Sequence, residues 1–334
     1  MKNLSLVCLL MASAIIGGCS QQSTTPTPTV DHHMHIRSQS AVDVLAQFRG
    51  PDADTLSPTN GADAIRLLDS AGVEKGSLLS LGYFFGMPDV SVENEYAKVR
   101  AENNYVANEA AKYPDRLYAF CSVNPLAKYA IEEVRRCASH GGFTGLKLHF
   151  GNSDVDLRDD GQVQRVRRIF QEADKLNLPV VLHMWTRDEK YGKKDAEVFL
   201  NEVLATVPDL TIQIAHLGGA GFYNATTDSV MDVFESAFKT HPKVMDEDIV
   251  FDIGAAAANP KLAFEAGDTT KAQAIQKRNR MLAERIKKMG AKHFVFGSDW
   301  WARNPADFVD VIRSLPLKEQ QLLVLFANRA PYVE

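Results

Sequence analysis

Eight short runs rich in aliphatic and β-branched residues recur along the chain, each followed by a longer stretch of helical period. That alternation restricts the fold to parallel β/α units. The runs are Thr29 to His35, Lys75 to Tyr83, Arg116 to Val123, Phe143 to Phe150, Pro179 to Trp185, Thr211 to Leu217, Ile249 to Gly254 and His293 to Asp299. Their ends fall roughly 40 residues apart, the spacing of a single-domain α/β protein of the (β/α)8 TIM-barrel type. A doubly wound sheet is disfavoured, because no Gly-x-Gly-x-x-Gly follows the first run and polar residues close at least five runs instead of gathering at one switch point. Helices are read over Ala62 to Ala71, stopped by Gly72, over Val163 to Leu176, ending before Pro179, and over Lys271 to Met289, stopped by Gly290. The connections Ser38 to Asn60 and Phe84 to Val92 exceed a tight βα turn and are expected at the barrel mouth as part of a lid.

The N-terminal segment has a different character. Lys2 precedes an apolar stretch from Leu4 to Ile16 that closes as Ile16-Gly17-Gly18-Cys19, which resembles the lipobox of bacterial lipoprotein precursors. At about thirteen residues the stretch falls short of the roughly 20 that span a bilayer. The expected organisation is a signal peptide over 1–18, a lipidated Cys19 with a disordered Pro/Thr-rich tether over 19–28, and the barrel over 29–334. This implies an exported, lipid-anchored protein facing the periplasm, whose contact with membrane is through Cys19; an uncleaved anchor or a plain secretory signal is the alternative. Cys8 and Cys19 belong to this segment, so only Cys121 and Cys137 remain in the barrel, too few for a thiolate metal cluster. Export permits a disulfide between them, but two buried free thiols are expected. With 37 Lys+Arg against 42 Asp+Glu, net −5, no basic field favours nucleic acid.

The polar strand ends carry the chemistry. Strand one closes Asp31-His32-His33-Met34-His35, and in a strand alternate side chains share a face, so His33 and His35 point together into the mouth while His32 and Met34 face the helices. His183 closes strand five, His216 closes strand six and Asp299 closes strand eight, so polar groups converge at the end of the barrel where such enzymes place their sites.

Taken in order, Asp31-x-His33-x-His35, Gly145-x-Lys147-x-His149, His183, His216-x-Gly218-Gly219, Gly297-Ser298-Asp299 and a closing Phe326-Ala327-Asn328-Arg329 resemble the amidohydrolase superfamily. Within it they resemble the group that includes aminocarboxymuconate semialdehyde decarboxylase. The resemblance implies that His33, His35, His183 and Asp299 hold a divalent metal, with His216 beside the water or substrate. Zinc is the first expectation and manganese the second, as one or two ions. Three imidazoles and a carboxylate leave a position open if the metal is five-coordinate, and a water held there becomes far more acidic, with a pKa of about 7. Asp299 then serves as general base and afterwards as general acid, and His216 orients the water or polarises the scissile carbonyl.

Lys147 and His149 face inward by strand parity. Three roles are open for Lys147: binding a substrate carboxylate, bridging two metals as a carbamate, or a structural ion pair, with Asp252 at the end of strand seven as its partner. Substrate contacts are sought at Lys147 and His149 and among the charged and aromatic residues at the strand ends, Arg37, Tyr83, Phe84, Trp185, Arg187 and Arg303, whereas Trp300 and Trp301 are read as packing around the mouth. The leading expectation is a metal-dependent hydrolase of an amide, lactone or related bond in a small substrate. A non-oxidative decarboxylase of the same architecture is the alternative, and an inactive lipid-tethered binding protein is a third reading. A homodimer is left open.

Overall fold

The computed structural model describes residues 26–49, 56–240 and 248–333. The strands β1 (Val30–Met34), β2 (Lys75–Leu79), β3 (Leu117–Ser122), β4 (Gly145–His149), β5 (Val180–His183), β6 (Ile212–Ile214), β7 (Ile249–Asp252) and β8 (Phe294–Val295) lie side by side in chain order, all parallel. Backbone bonds from His32 N to Phe296 O (2.9 Å) and from Asp299 N to His33 O (2.8 Å) join the last strand region to the first, so the sheet is a barrel as expected. The helices α1 (Gln39–Arg49), α2 (Gly61–Ala71), α3 (Glu95–Ala110), α4 (Ala130–His140), α5 (Asp160–Lys175), α6 (Lys193–Val198), α7 (Ala225–Thr240), α8 (Pro260–Glu265), α9 (Thr269–Met289), α10 (Pro305–Arg313) and α11 (Glu319–Ala327) surround it.

Local chemistry explains the boundaries. The Asn60 side chain accepts from Asp63 N and starts α2, which stops at Gly72 in the left-handed region, φ 68°. Outward strand residues such as Leu146, Leu148, Val180, Leu182, Ile212 and Ile214 pack with Val166 and Phe170 of α5 in the largest apolar cluster. The opposite parity, Lys147, His149, Val181 and Gln213, turns inward.

Four expectations are corrected. The strands stop short of the predicted ends, because the chain enters tight turns there: β2 gives way to a 3-10 turn over Gly82–Gly86, and His216, Leu217 and Asp299 take positive φ. Cys121 on β3 and Cys137 on α4 are joined as a disulfide rather than free; strand and helix pack with these Cα atoms 6.3 Å apart, within bonding reach. Residues 1–25, including the signal segment and Cys19, lie outside the described residues, but the end of the predicted tether is docked. Arg313 donates to Pro26 O (2.9 and 3.0 Å) and Thr27 Oγ1 (3.1 Å), and Pro28 is buried. In the connection Ser38 to Asn60, residues 39–49 form helix α1 rather than open loop: Ala41, Val44 and Leu45 pack against Tyr83, Phe84 and Phe85, so the described parts of the two long connections share one apolar wall beside the mouth.

Candidate functional site

At the C-terminal ends of the strands lies a cavity of about 230 Å³ lined by His33, His35, Tyr83, Lys147, His149, Asn152, His183, His216, Asp299 and Trp301. His33 and His35 point together as strand parity requires, their Nε2 atoms 3.2 Å apart. Each ring is locked from behind. His33 Nδ1 donates to Asp252 Oδ2 (3.0 Å), and His35 Nδ1 donates to the Leu79 carbonyl (2.7 Å). With Nδ1–H committed, both Nε2 atoms present lone pairs. Asp299 Oδ1 joins them at 3.4 Å from His33 and 3.7 Å from His35. Three acceptors that converge without a hydrogen between them repel one another unless a cation sits among them, and His33, His35 and Asp299 form a donor set compact enough for one metal ion.

Burial keeps these imidazoles neutral, which is the form a metal needs. Desolvation, then the Lys147 charge, lowers His33; desolvation, then the neighbouring His33, lowers His35 well below the ordinary histidine value. Lys147 Nζ stands 3.4 Å from His33 Nε2, and burial brings its ammonium down to about 8 against the opposing pull of Asp252 and Asp299.

Asp252 is not the ion-pair partner of Lys147. Its Oδ2 takes His33 Nδ1–H and Gln213 Nε2–H (2.7 Å), and its Oδ1 takes the backbone N–H groups of His216 (3.1 Å) and Gly254 (3.0 Å). Burial alone would raise this carboxyl, but His33 and His216 hold it well below the usual range. It is the orienting anion of the site, a role that strand position alone did not reveal. His33, His216 and Asp252 also lie close enough to share an ion, yet the facing nitrogens and oxygens there are already spent on hydrogen bonds.

His216 Nδ1 donates to Gly254 O (2.6 Å), which leaves its Nε2 as a lone pair, and its ring stacks on His33 at 4.8 Å. His149 differs. Its Nδ1 accepts from Asn152 N (3.1 Å), so the neutral ring carries its proton on Nε2 and is a donor. His183 stacks on His149 at 3.8 Å and meets His216 edge-on at 4.9 Å, and its Nε2 is buried without a hydrogen-bond partner. His183 thus lines the same cavity with an unpaired imidazole nitrogen, but it stands outside the compact set of His33, His35 and Asp299.

The backbone is bent to build this mouth. Asp299, His216 and Leu217 adopt φ of 59°, 53° and 55°, conformations that cost L-residues about 1–3 kcal/mol each. Gly297 is required where β8 approaches β1, because a Cβ there would lie 2.8 Å from His33 Cβ.

Of the residues expected to touch substrate, Lys147 and His149 line the cavity, while Arg37, Trp185 and Arg303 lie outside its lining. Arg37 stacks on Trp301 (5.3 Å), Trp185 sits edge-on to His183 (6.3 Å), and Arg303 lies over Phe222 (5.2 Å), the two lining a separate cavity. Tyr83, sought as an aromatic contact at the end of the second run, lines the cavity; so do Trp301, read as packing, and Asn152, which had no signal beyond its place after a strand.

Comparison with known proteins places the chain in a family and finds its fold elsewhere. A stretch of 126 residues, 36% of this chain and 37% of the relative, is 32% identical to gamma-resorcylate decarboxylase from Rhizobium sp. (strain MTP-10005), so the match spans little more than a third of that protein's length. The solved structure of 5-carboxyvanillate decarboxylase from Sphingomonas paucimobilis superposes with a TM-score of 0.61 at 15% identity, covering 89% of this chain and 96% of the other. A dihydroxybenzoic acid decarboxylase from Polaromonas sp. JS666, solved with bound manganese and the inhibitor 2-nitroresorcinol, gives 0.58 at 16% identity, covering 90% and 95%. The amidohydrolase family model matches residues 30–320, strand β1 through the start of α11, and the chain belongs to that family.

Proposed function

We propose that this protein is a metal-dependent non-oxidative decarboxylase of a small aromatic carboxylate. The observation that carries the reading is the convergence of His33 Nε2, His35 Nε2 and Asp299 Oδ1 beside the Lys147 ammonium, in a cavity of about 230 Å³. That space exceeds the roughly 150 Å³ that admits a benzene ring but leaves little room for an extended chain. The hydrolase reading has support at the level of the family, whereas the relatives matched in sequence and fold favour the decarboxylase. Manganese in one of those structures moves manganese ahead of zinc as the ion to test.

His33, His35, Asp299 and His183 would hold the ion. When bound, it supplies a Lewis-acidic clamp for substrate oxygens. Lys147 pairs with the carboxylate to be lost, and the His149 Nε2–H donates to a ring substituent. Tyr83 and Trp301 flank the ring and exclude water. His216 is the proton carrier: its Nδ1–H is tied to Gly254, Asp252 Oδ1 lies 3.9 Å away to support a positive ring, and Nε2 is left to act. The protonated ring gives its proton to the carbon that bears the carboxylate. The carbon–carboxylate bond then breaks, its electron pair restores the aromatic ring, and CO2 departs, one proton being consumed for each CO2.

The test is turnover of hydroxybenzoates in D2O and in ¹⁸O-water with the manganese-loaded enzyme. Deuterium on the ring, CO2 release and no solvent oxygen in the aromatic product are expected; no CO2 from any hydroxybenzoate, beside cleavage of an aryl ester, lactone or amide with solvent oxygen in the acid released, would restore the hydrolase reading. His216→Asn is expected to lower turnover by roughly 10²–10⁴-fold with metal content nearly unchanged. Full loss in Asp299→Asn beside an active His216→Asn would transfer the proton role to Asp299.

We further propose that the protein is exported and lipid-anchored at Cys19. The signal-like segment and the Cys121–Cys137 disulfide, a bond suited to an oxidising compartment, support this reading.

A further inference from the structure

One buried contact is not used by the chemistry above. After α11 the chain turns into the floor of the barrel, beneath the site. Ala330 N donates to His32 Nε2 (3.1 Å), and the Tyr332 ring packs edge-on against Phe120 (5.0 Å) among Leu79, Val181, Val250 and Val295. From there the Tyr332 hydroxyl donates to Gln213 Oε1. Gln213 interrupts the apolar run Ile212-Gln213-Ile214 and turns its amide inward, donating Nε2–H to Asp252 Oδ2 (2.7 Å) and to the His32 carbonyl (3.2 Å). Asp252 Oδ2 in turn takes the Nδ1–H of His33 (3.0 Å).

We propose that Tyr332 is a positioning residue for the metal site, acting through Gln213 and Asp252 on the orientation and tautomer of His33. The Asp252 carboxylate accepts only, so the Gln213 amide must face it with nitrogen, and the amide oxygen must then point at the floor, where it needs a donor. Tyr332 is that donor. Without it the buried oxygen is left unpaired, and the amide gains by rotating away from Asp252, which loosens the acceptor that keeps the lone pair of His33 on Nε2. The proposal rests on the reading that His33 helps to hold a cation.

The experiment is Mn²⁺ binding to the full chain by competition with a chromophoric chelator, alongside the melting temperature of each metal-free protein. Groups that orient metal ligands typically contribute 10–100-fold to affinity, so Tyr332→Phe should weaken Mn²⁺ binding by about tenfold. Gln213→Met should act similarly, and the double variant should fall short of the product of the two effects because both cut one relay. Phe120→Leu disturbs the ring of Tyr332 but not its hydroxyl and should leave affinity within about twofold. A second readout needs no metal: the His33 Nδ1–H proton, followed by NMR in ¹⁵N-histidine-labelled protein, should shift or broaden in Tyr332→Phe.

Wild-type affinity and an unmoved His33 proton in that variant would overturn the proposal while leaving the metal site standing, as would equal weakening by Phe120→Leu. A wild-type protein that binds no Mn²⁺ would instead remove the metal reading on which the proposal rests. If Tyr332→Phe does not fold, Gln213→Met carries the same comparison.

Discussion

A single nitrogen shows what a residue-scale argument can decide. His183 Nε2 is buried and has no hydrogen-bond partner, and an unpaired buried polar atom costs about 1–3 kcal/mol. If that nitrogen exists to bind a cation, its removal should cost the metal-free protein little and the loaded protein much. His183→Leu, of similar shape, is expected to hold urea stability of the chelator-treated protein within about 1.5 kcal/mol and to weaken Mn²⁺ binding at least tenfold. Unchanged affinity would make His183 a core residue. Much of the site at this scale was readable from parity: alternation along β1 and β4 set His33 with His35 and Lys147 with His149. The partnerships were not readable. An ion pair of Asp252 with Lys147 is one of the roles the sequence leaves open, because both are inward charges, but several inward groups compete for one carboxylate, and only three-dimensional register awards it to His33 and Gln213. Gln213 did carry a signal, as a polar residue facing inward from an apolar strand.

At the scale of the element, β1 holds two neighbouring groups with opposed titrations. Burial raises the Asp31 carboxyl from 3.8 to about 7, against N–H bonds from His33 and Ser298, and burial lowers His32 from 6.5 to about 4. A carboxyl whose folded value is raised contributes stability at low pH that is lost as pH climbs from about 4 to 7. A histidine whose folded value is lowered contributes at high pH what is lost as pH falls from 6.5 to about 4. In the window they share, the folded strand keeps a proton on Asp31 that the unfolded chain keeps on His32, so the two slopes offset. Single substitutions separate them. Relative to wild type, Asp31→Asn should lose about 3 kcal/mol on acidification from pH 6.5 to 4, and His32→Asn should lose a similar amount as pH rises from 4 to 7. Urea unfolding of the three proteins across that range checks both signs, and parallel curves would contradict them. The strands themselves were legible because hydrophobic runs report the ladder. Their ends were not, since the ladder stops where Asp299 and His216 bend into positive φ to aim at the cavity.

The whole molecule has two ends, and under the proposed anchoring its strand direction gives them different tasks. The site lies where the strands end; the residues before β1 meet the barrel where the strands begin, with Pro26 and Thr27 held by Arg313 and Thr29 N bonded to Phe326 O (3.0 Å). A five-residue strand such as β1 is about 17 Å long, and the seat of Pro26 and the cavity lie at its opposite ends. No described helix is long and apolar enough to cross a membrane; the proposed attachment is the lipid on Cys19. From Cys19 to Pro26 an extended chain reaches about 24 Å at most, so an anchored barrel keeps its floor near the bilayer and its mouth toward water. Water-soluble aromatic acids would then reach Lys147 without crossing the lipid surface. Cys19→Ser should move the protein from the membrane fraction to the soluble fraction with its melting temperature unchanged. The values of kcat/KM for such an acid should agree within about twofold between lipidated protein on vesicles and free Cys19→Ser protein, because the mouth is open in both. A large fall on anchoring would place the mouth against the membrane and reverse the orientation, and loss of stability on Cys19→Ser would show that this cysteine belongs to the fold instead.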